Sequence, residues 1–234
     1  MTDHTSADFA FHQPPVPAIP ISSSNELFPV RRVWCVGRNY AEHAREMGSD
    51  PRCEPPFFFA KPGDAVVPLG GLLPYPMATH ELHHEVELAV AIGKTGYNFD
   101  AREASEYIFG YAVALDMTRR DLQAEAKRMA RPWDIAKGFD RSCPVSAITT
   151  NVVKTTLAAS RISLLVNGVQ RQAASLSDMI WSVEECLAAL SQLVELEPGD
   201  LLLTGTPAGV GPVARGDQLH ASCQGIGELA VEYF

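Results

Sequence analysis

Positive charge is scarce in this sequence. Its 234 residues carry 19 Lys and Arg against 28 Asp and Glu, a formal net charge of −9, so no basic surface fit to neutralise a run of phosphates is expected and nucleic acid is not expected as a partner. An acidic chain that takes up an anion must gather positive charge locally, on a metal ion or on clustered arginines. Cysteine is sparse too. Cys35, Cys53, Cys143, Cys186 and Cys223 are odd in number and scattered, with no Cys-x-x-Cys pair, which argues against a disulfide framework or a structural zinc site and for reduced thiols in a cytoplasm. Long apolar runs are missing: no window of about 18 uncharged apolar residues exists, so a spanning helix and a membrane partner are not expected. The opening MTDHTSADFAFHQPPVPAIP places acids and prolines where a signal peptide has basic and then apolar residues.

What is present is the balance of a folded chain, 46% hydrophobic and 20% charged, long enough to enclose one sizeable core. Pro14, Pro15, Pro17 and Pro20, followed by Ser22, Ser23 and Ser24, resist helix and favour an extended arm over residues 1–25. Residues 26–234 read as a single domain. VRRVWCVG, FFFAKP, HHEVELAVAIG and YIFGYAVALD are strands by composition and periodicity, HHEVELAVAIG being the clearest. ISLLVNGVQRQ is a hairpin, because Asn167-Gly168 tolerates the positive φ angles of a type I′ turn. LLLTG, QLHASC and ELAVEYF close the chain as strands. Helices are few: RNYAEHAREMG, stopped by Gly48; a second opened by a Thr118/Asp121 capping box over about 119–130 and ended by Pro132; and a third opened by Ser182/Glu185. The fold class expected is α+β, mostly β, a mixed and largely antiparallel architecture with peripheral helices.

Side chains alternate along a strand, so Glu85 and Glu87 share one face while His84, Val86, Leu88 and Val90 take the other. Two carboxylates about 7 Å apart can lean onto one cation. A solvated strand face is the plainer alternative, although Ala89 and Ala91, next on the glutamate face, suit close packing better than solvent. Asp116 stands where an apolar strand gives way to a helix; it is either a third ligand or an ordinary helix-start carboxylate. Three carboxylates form a hard-oxygen site suited to Mg²⁺ or Mn²⁺. Zinc is disfavoured, since His80 and His84 lie in a segment that reads as strand, whereas the His-Glu-x-x-His zinc pattern works from one face of a helix. On a short helix His43 and Glu46 form an i, i+3 pair, able to act as a base and the carboxylate that orients it, or as plain surface residues. TGTPAGVG lacks the Gly-Lys-Ser/Thr ending of a nucleotide loop; its N–H groups and the Thr206 hydroxyl could hold a carboxylate, or it is a turn between strands.

In order along the chain, CVGRNYAEHAREMG, FFFAKP, HHEVELAVAIGK, YAVALDMTRRDLQAEAK, RPWDIAKGFDRSCP and TGTPAGVG resemble the fumarylacetoacetate hydrolase superfamily, in its short acylpyruvate hydrolase branch, from about residue 32 to the end. The resemblance implies a mixed β-sandwich or roll, a homodimer, and hydrolysis of a carbon–carbon bond in a small anionic keto acid. It places Glu85, Glu87 and Asp116 as Mg²⁺ ligands, His43 and Glu46 as general base and its orienting carboxylate, and Lys137 as the lysine that stabilises an oxyanion. Arg38, Arg120, Gln123 and Thr206 match substrate-contacting positions. FPVRRVWCVGRNY, CEPPFFFAKP and DLQAEAKRMARPW are most similar to the bacterial fumarylpyruvate hydrolases of gentisate breakdown, implying that 3-fumarylpyruvate is cleaved to fumarate and pyruvate. Oxaloacetate decarboxylation or a general acylpyruvase activity is the enzymatic alternative, and a binding protein with a vestigial site the non-enzymatic one. Residues 38–55, with Gly37 before them and Gly48 within them, are expected to act as a lid carrying His43 and Glu46.

Overall fold

Period-two alternation decides the centre of the molecule. In the strand Val86–Ile92 every residue is buried, which excludes the solvated-face reading. Val86, Leu88, Val90 and Ile92 join a core with Leu115, Leu164, Leu187 and Leu219. Ala89 and Ala91, on the glutamate face, enter a second core with Ile19, Val33, Ala112, Ala114 and Leu201. A strand buried on both faces must be interior to a sheet that is covered on both sides.

The computed structural model describes residues 11–12, 14–22, 24–46 and 54–234, apart from the side chains of residues 44–46 and 154. Gly48, Cys53, the first part of the proline-rich arm and the middle of the expected lid lie outside the described residues. The seven-stranded sheet runs, in spatial order, Phe57–Pro62, Arg32–Gly37, Asp200–Leu203, Val86–Ile92, Ile108–Leu115, Cys143–Val145, Val66–Pro68. Its pairs are antiparallel except at Asp200–Leu203 with Arg32–Gly37 and at Cys143–Val145 with Val66–Pro68. A five-stranded sheet, led by the Arg161–Val166 and Val169–Ser175 hairpin, packs over the larger apolar core. The hairpin turns as its sequence dictates, with φ of 51° at Asn167 and 77° at Gly168. On the other face Ala18–Pro20 pairs with Leu27–Pro29, and Ile19 and Ile21 close the second core. This mostly-β architecture with peripheral helices is the fold expected. Among the described residues no helix is long and apolar enough to cross a membrane.

Two local expectations are corrected. The strand read through HHEVELAVAIG is two strands, Leu82–His84 and Val86–Ile92, with Glu85 at the break. Leu82–His84 belongs to a separate small sheet with Thr118–Arg119 and Gly211–Val213, so the chain changes sheets at Glu85. The Thr118/Asp121 capping box does not form: the helix spans Arg120–Arg128 and Arg119, at its N-cap, makes no side-chain cap. Other partners take both side chains, tertiary ones for Asp121 and a local one for Thr118. Asp121 accepts from the Thr79 hydroxyl at 2.6 Å and His80 N at 2.9 Å, and the Thr118 hydroxyl donates to the Asp116 carbonyl. Ser182/Glu185, free of such competition, forms both hydrogen bonds of its box.

Candidate metal centre and active site

Strand ends converge at one edge of the seven-stranded sheet. Val86 pairs with Leu115, Leu203 lies between Ala89 and Cys35, and Gly37 pairs with Phe57. Glu85 and Glu87 therefore flank the start of Val86–Ile92 where Asp116 follows the end of its neighbour, Ile108–Leu115, and the Asp116 N–H donates to the Glu85 carbonyl at 2.9 Å. Glu85, Glu87 and Asp116 are all buried and offer carboxylate oxygens within 4.8 Å of one another.

Three anions in a low-dielectric interior persist only if they are paired. Lys137 is buried between two of them, its Nζ 2.6 Å from Asp116 Oδ2 and 2.8 Å from Glu85 Oε2. Arg120 Nη2 donates to Glu85 Oε1. Burial drives the Glu85 carboxyl upward, but Lys137 and Arg120 outweigh it and hold the group well below the usual range. Burial opposes the charged form of Lys137 as well, and Asp116 with Glu85 reverses that, raising its pKa. Glu87 differs. Its Oε2 accepts from Gly205 N at 2.6 Å, and burial followed by the Asp116 and Glu85 charges pushes its carboxyl well up. An all-oxygen donor set in which one carboxylate still calls for positive charge fits a divalent cation.

Sequence reasoning missed a further cation here, Lys61. Its ammonium is fully buried and lies 2.8 Å from Asp116 Oδ1, while donating to the carbonyls of Met117 and Ser142, each at 3.1 Å, and of Lys137. It is thus tied to the backbone that carries both Asp116 and Lys137. The signal was an ammonium inside an otherwise apolar strand segment, FFFAKP.

The helix Arg120–Arg128 presents Arg120, Gln123 and Lys127 at i, i+3 and i+7, one face of a helix, and all three line the pocket above the carboxylates. Arg120 Nη1 donates to Gln123 Oε1 at 2.6 Å. His43, on the short helix Ala41–Glu46, is buried and lines the same pocket; the Glu46 side chain lies outside the described residues. Arg38, with φ of 57°, sits 5.3 Å over the Phe57 ring and 4.0 Å from Glu54.

Thr206 lines the pocket, but its hydroxyl is used differently from the expectation of a substrate contact. It donates to the Val86 carbonyl at 2.9 Å and accepts from Gln172 Nε2 at 2.8 Å. Gln172, also missed, is a clamp: Nε2 donates again to the Pro207 carbonyl, and Oε1 accepts from Val86 N at 3.1 Å and faces His84 Nδ1 at 2.9 Å. With both amide N–H groups so used, His84 must be the donor at Nδ1. The TGTP turn is thereby locked onto the strand that begins between the two glutamates. Gly205 is required in this turn: its φ is 93°, and a Cβ there would stand 2.7 Å from that of Asn39.

The family model described as fumarylacetoacetate (FAA) hydrolase C-terminal matches residues 32–232. A crystal structure of fumarylpyruvate hydrolase from Pseudomonas aeruginosa, in complex with Mn²⁺ and pyruvate, superimposes with a TM-score of 0.93 at 48% identity, covering 97% of this chain and 99% of that one. A mitochondrial oxaloacetate tautomerase of Mus musculus is 43% identical over 85% of this chain and 92% of its own length. A mitochondrial oxaloacetate decarboxylase of Dictyostelium discoideum is 40% identical over 84% and 90%. The chain belongs to the fumarylacetoacetate hydrolase family.

Proposed function

We propose that this enzyme hydrolyses the carbon–carbon bond of a 2,4-dioxo acid, 3-fumarylpyruvate, to fumarate and pyruvate, with Mg²⁺ or Mn²⁺ held by Glu85, Glu87 and Asp116. The observation that carries the reading is one pocket lined by the buried carboxylate cluster, by His43 and by the side chains of Arg38, Arg120, Gln123 and Lys137. The 48% identity to the Mn²⁺- and pyruvate-bound fumarylpyruvate hydrolase supports it. A divalent ion on these ligands would polarise the keto-acid end of the substrate as a Lewis acid and fix its orientation.

The chain's own residues supply the rest. His43, with Glu46 as its orienting carboxylate, takes a proton from water, and the hydroxide adds to the C4 carbonyl. Lys137 brings positive charge to the side of the pocket where negative charge develops. The C3–C4 bond then breaks with its electron pair moving to C3. Protonation there gives pyruvate, and C4 leaves as the carboxylate of fumarate. Arg120 and Gln123, coupled to each other and to Glu85, define the wall against which the substrate is oriented. A cytoplasmic homodimer acting in gentisate catabolism belongs to the same proposal.

The tautomerase and decarboxylase relatives favour a second reading, oxaloacetate chemistry, which needs enolate stabilisation but no attacking water. The test is an assay of the purified protein with Mg²⁺ on fumarylpyruvate, acetylpyruvate, fumarylacetoacetate and oxaloacetate. Fumarylpyruvate should have the highest kcat/KM, and His43→Ala should abolish its hydrolysis while sparing any oxaloacetate decarboxylation. A tenfold preference for acetylpyruvate or oxaloacetate, about 1.4 kcal/mol in transition-state binding, would overturn the substrate assignment.

A further inference from the structure

Two of the three polar side chains that the helix Arg120–Arg128 brings to the pocket are already engaged. Arg120 is bound to Glu85 and to Gln123. Lys127, on the same face and lining the same pocket, stands apart. Its ammonium lies 5.1 Å over the Trp133 ring, and among the described residues no carboxylate forms an ion pair with it. Burial, then the positive charges of Arg120 and Arg38, push its pKa down to about 8. Three cations thus crowd one side of the pocket, in a chain whose net charge is −9. An incoming anion would relieve that repulsion, and of the three Lys127 is the one without a carboxylate ion-pair partner among the described residues.

We propose that Lys127 is a specificity-determining residue, receiving the carboxylate at the end of the substrate farthest from Glu85, Glu87 and Asp116, so that the pocket selects dicarboxylic keto acids. The inference rests on the reading of the site as one for 2-oxo acids. Seven residues of helix separate Arg120 from Lys127, roughly 10 Å along the axis. The terminal carbons of a seven-carbon diacid, six bonds apart like two residues of extended chain, are separated by roughly 7 Å, a difference within the reach of a flexible lysine. Phe57 and Trp133, whose ring centroids are 5.9 Å apart, line the pocket beside it and give a flat conjugated chain apolar walls. Acetylpyruvate has no group for Lys127 to hold; fumarylpyruvate does.

Arg131 is the rival. It lines an adjoining cavity shared with Phe57, Phe59 and Trp133, so the distal carboxylate could turn there instead. The Mg²⁺-loaded protein is titrated calorimetrically with 2-oxoheptanedioate and with 2-oxoheptanoate, which differ only in the far carboxylate. Wild type should bind the diacid at least tenfold more tightly. Lys127→Met should bring the two within threefold, Lys127→Arg should keep most of the preference, and Arg131→Gln should leave it intact. A diacid preference that survives Lys127→Met, or that disappears in Arg131→Gln, overturns the proposal. The readout is binding, so it stands apart from the hydrolytic assignment: a wild type that binds the diacid selectively but cleaves no 2,4-dioxo acid would refute the reaction and leave Lys127 in place.

Discussion

Two buried regions meet at the strand Val86–Ile92, and they are built of opposite materials. One face of the strand enters an apolar core with Leu115, Leu164, Leu187 and Leu219, where each side chain contributes about 1.5–3 kcal/mol by leaving water and needs no particular partner. At the start of the same strand lie Glu85, Glu87 and Asp116 with Lys61, Lys137 and Arg120, most of them fully buried. There every charge depends on an opposite one, because desolvation costs several kcal/mol per ion and is offset only by good pairing. The apolar region holds the fold together. The charged region is kept in place by the fold, and its cost in stability is understandable only as a requirement of its chemistry.

The most severe way to break that comparison is to remove a ligand. Glu85→Gln, Glu87→Gln or Asp116→Asn should each weaken Mg²⁺ binding by more than the roughly 10–100-fold typical of losing a residue that merely supports a ligand, with activity falling in step. Calorimetric titration checks this, and unchanged affinity in all three variants would remove the metal centre from the account.

Next in size are two stability variants of equal depth, one from each region. Lys61→Met breaks a buried ion pair and leaves three carbonyls short of a donor, an expected loss of about 3–5 kcal/mol. Leu88→Ala opens a cavity in the apolar core, at a cost of about 2–5 kcal/mol. Denaturant unfolding should not tell them apart, but added Mg²⁺ should. A ligand at 100 times its Kd stabilises the native state by about 2.7 kcal/mol, and Leu88→Ala should show the same increment as wild type. Lys61→Met, which frees one oxygen of Asp116, should show a different one. Equal increments in both variants would mean that Lys61 supports the fold without changing metal affinity.

Legibility in the sequence followed the same divide. Alternation exposed both faces of Val86–Ile92, the Asn167-Gly168 turn and the Ser182/Glu185 cap, because each is a pattern within a few residues. Alternation and a strand-end position made the three carboxylates candidates, and the family resemblance chose the ligand role over a solvated face and a helix-start acid. Lys61 and Gln172 could not. The first meets the Met117 carbonyl 56 residues away and the second the Val86 N–H 86 residues away, contacts with no local spacing to betray them. Thr118/Asp121 had the spacing of a cap and lost it to Thr79 and His80 across the chain. Lys127 was within reach of sequence reasoning, since Arg120 and Gln123 already marked the helix face on which it is the next polar position.

The smallest expected effect sharpens the comparison from the apolar side. Ser182 caps the helix Val183–Ser191, whose Cys186, Leu187 and Leu190 belong to the main core. Its side chain accepts from Glu185 N, and Glu185 Oε2 accepts from Ser182 N at 2.8 Å. Ser182→Ala removes the acceptor for one orphan donor at the helix start and should cost about 1 kcal/mol of stability. The packed face of the helix stays intact, and the lost bond lies at a helix end that supplies none of the side chains lining the pocket, so Mg²⁺ affinity and kcat/KM should remain within twofold of wild type. Thermal unfolding with and without Mg²⁺, together with a metal titration, reads both halves of that statement. A metal affinity that falls with the lost cap would show that the apolar core transmits to the charged site, and that the two regions are one cooperative unit.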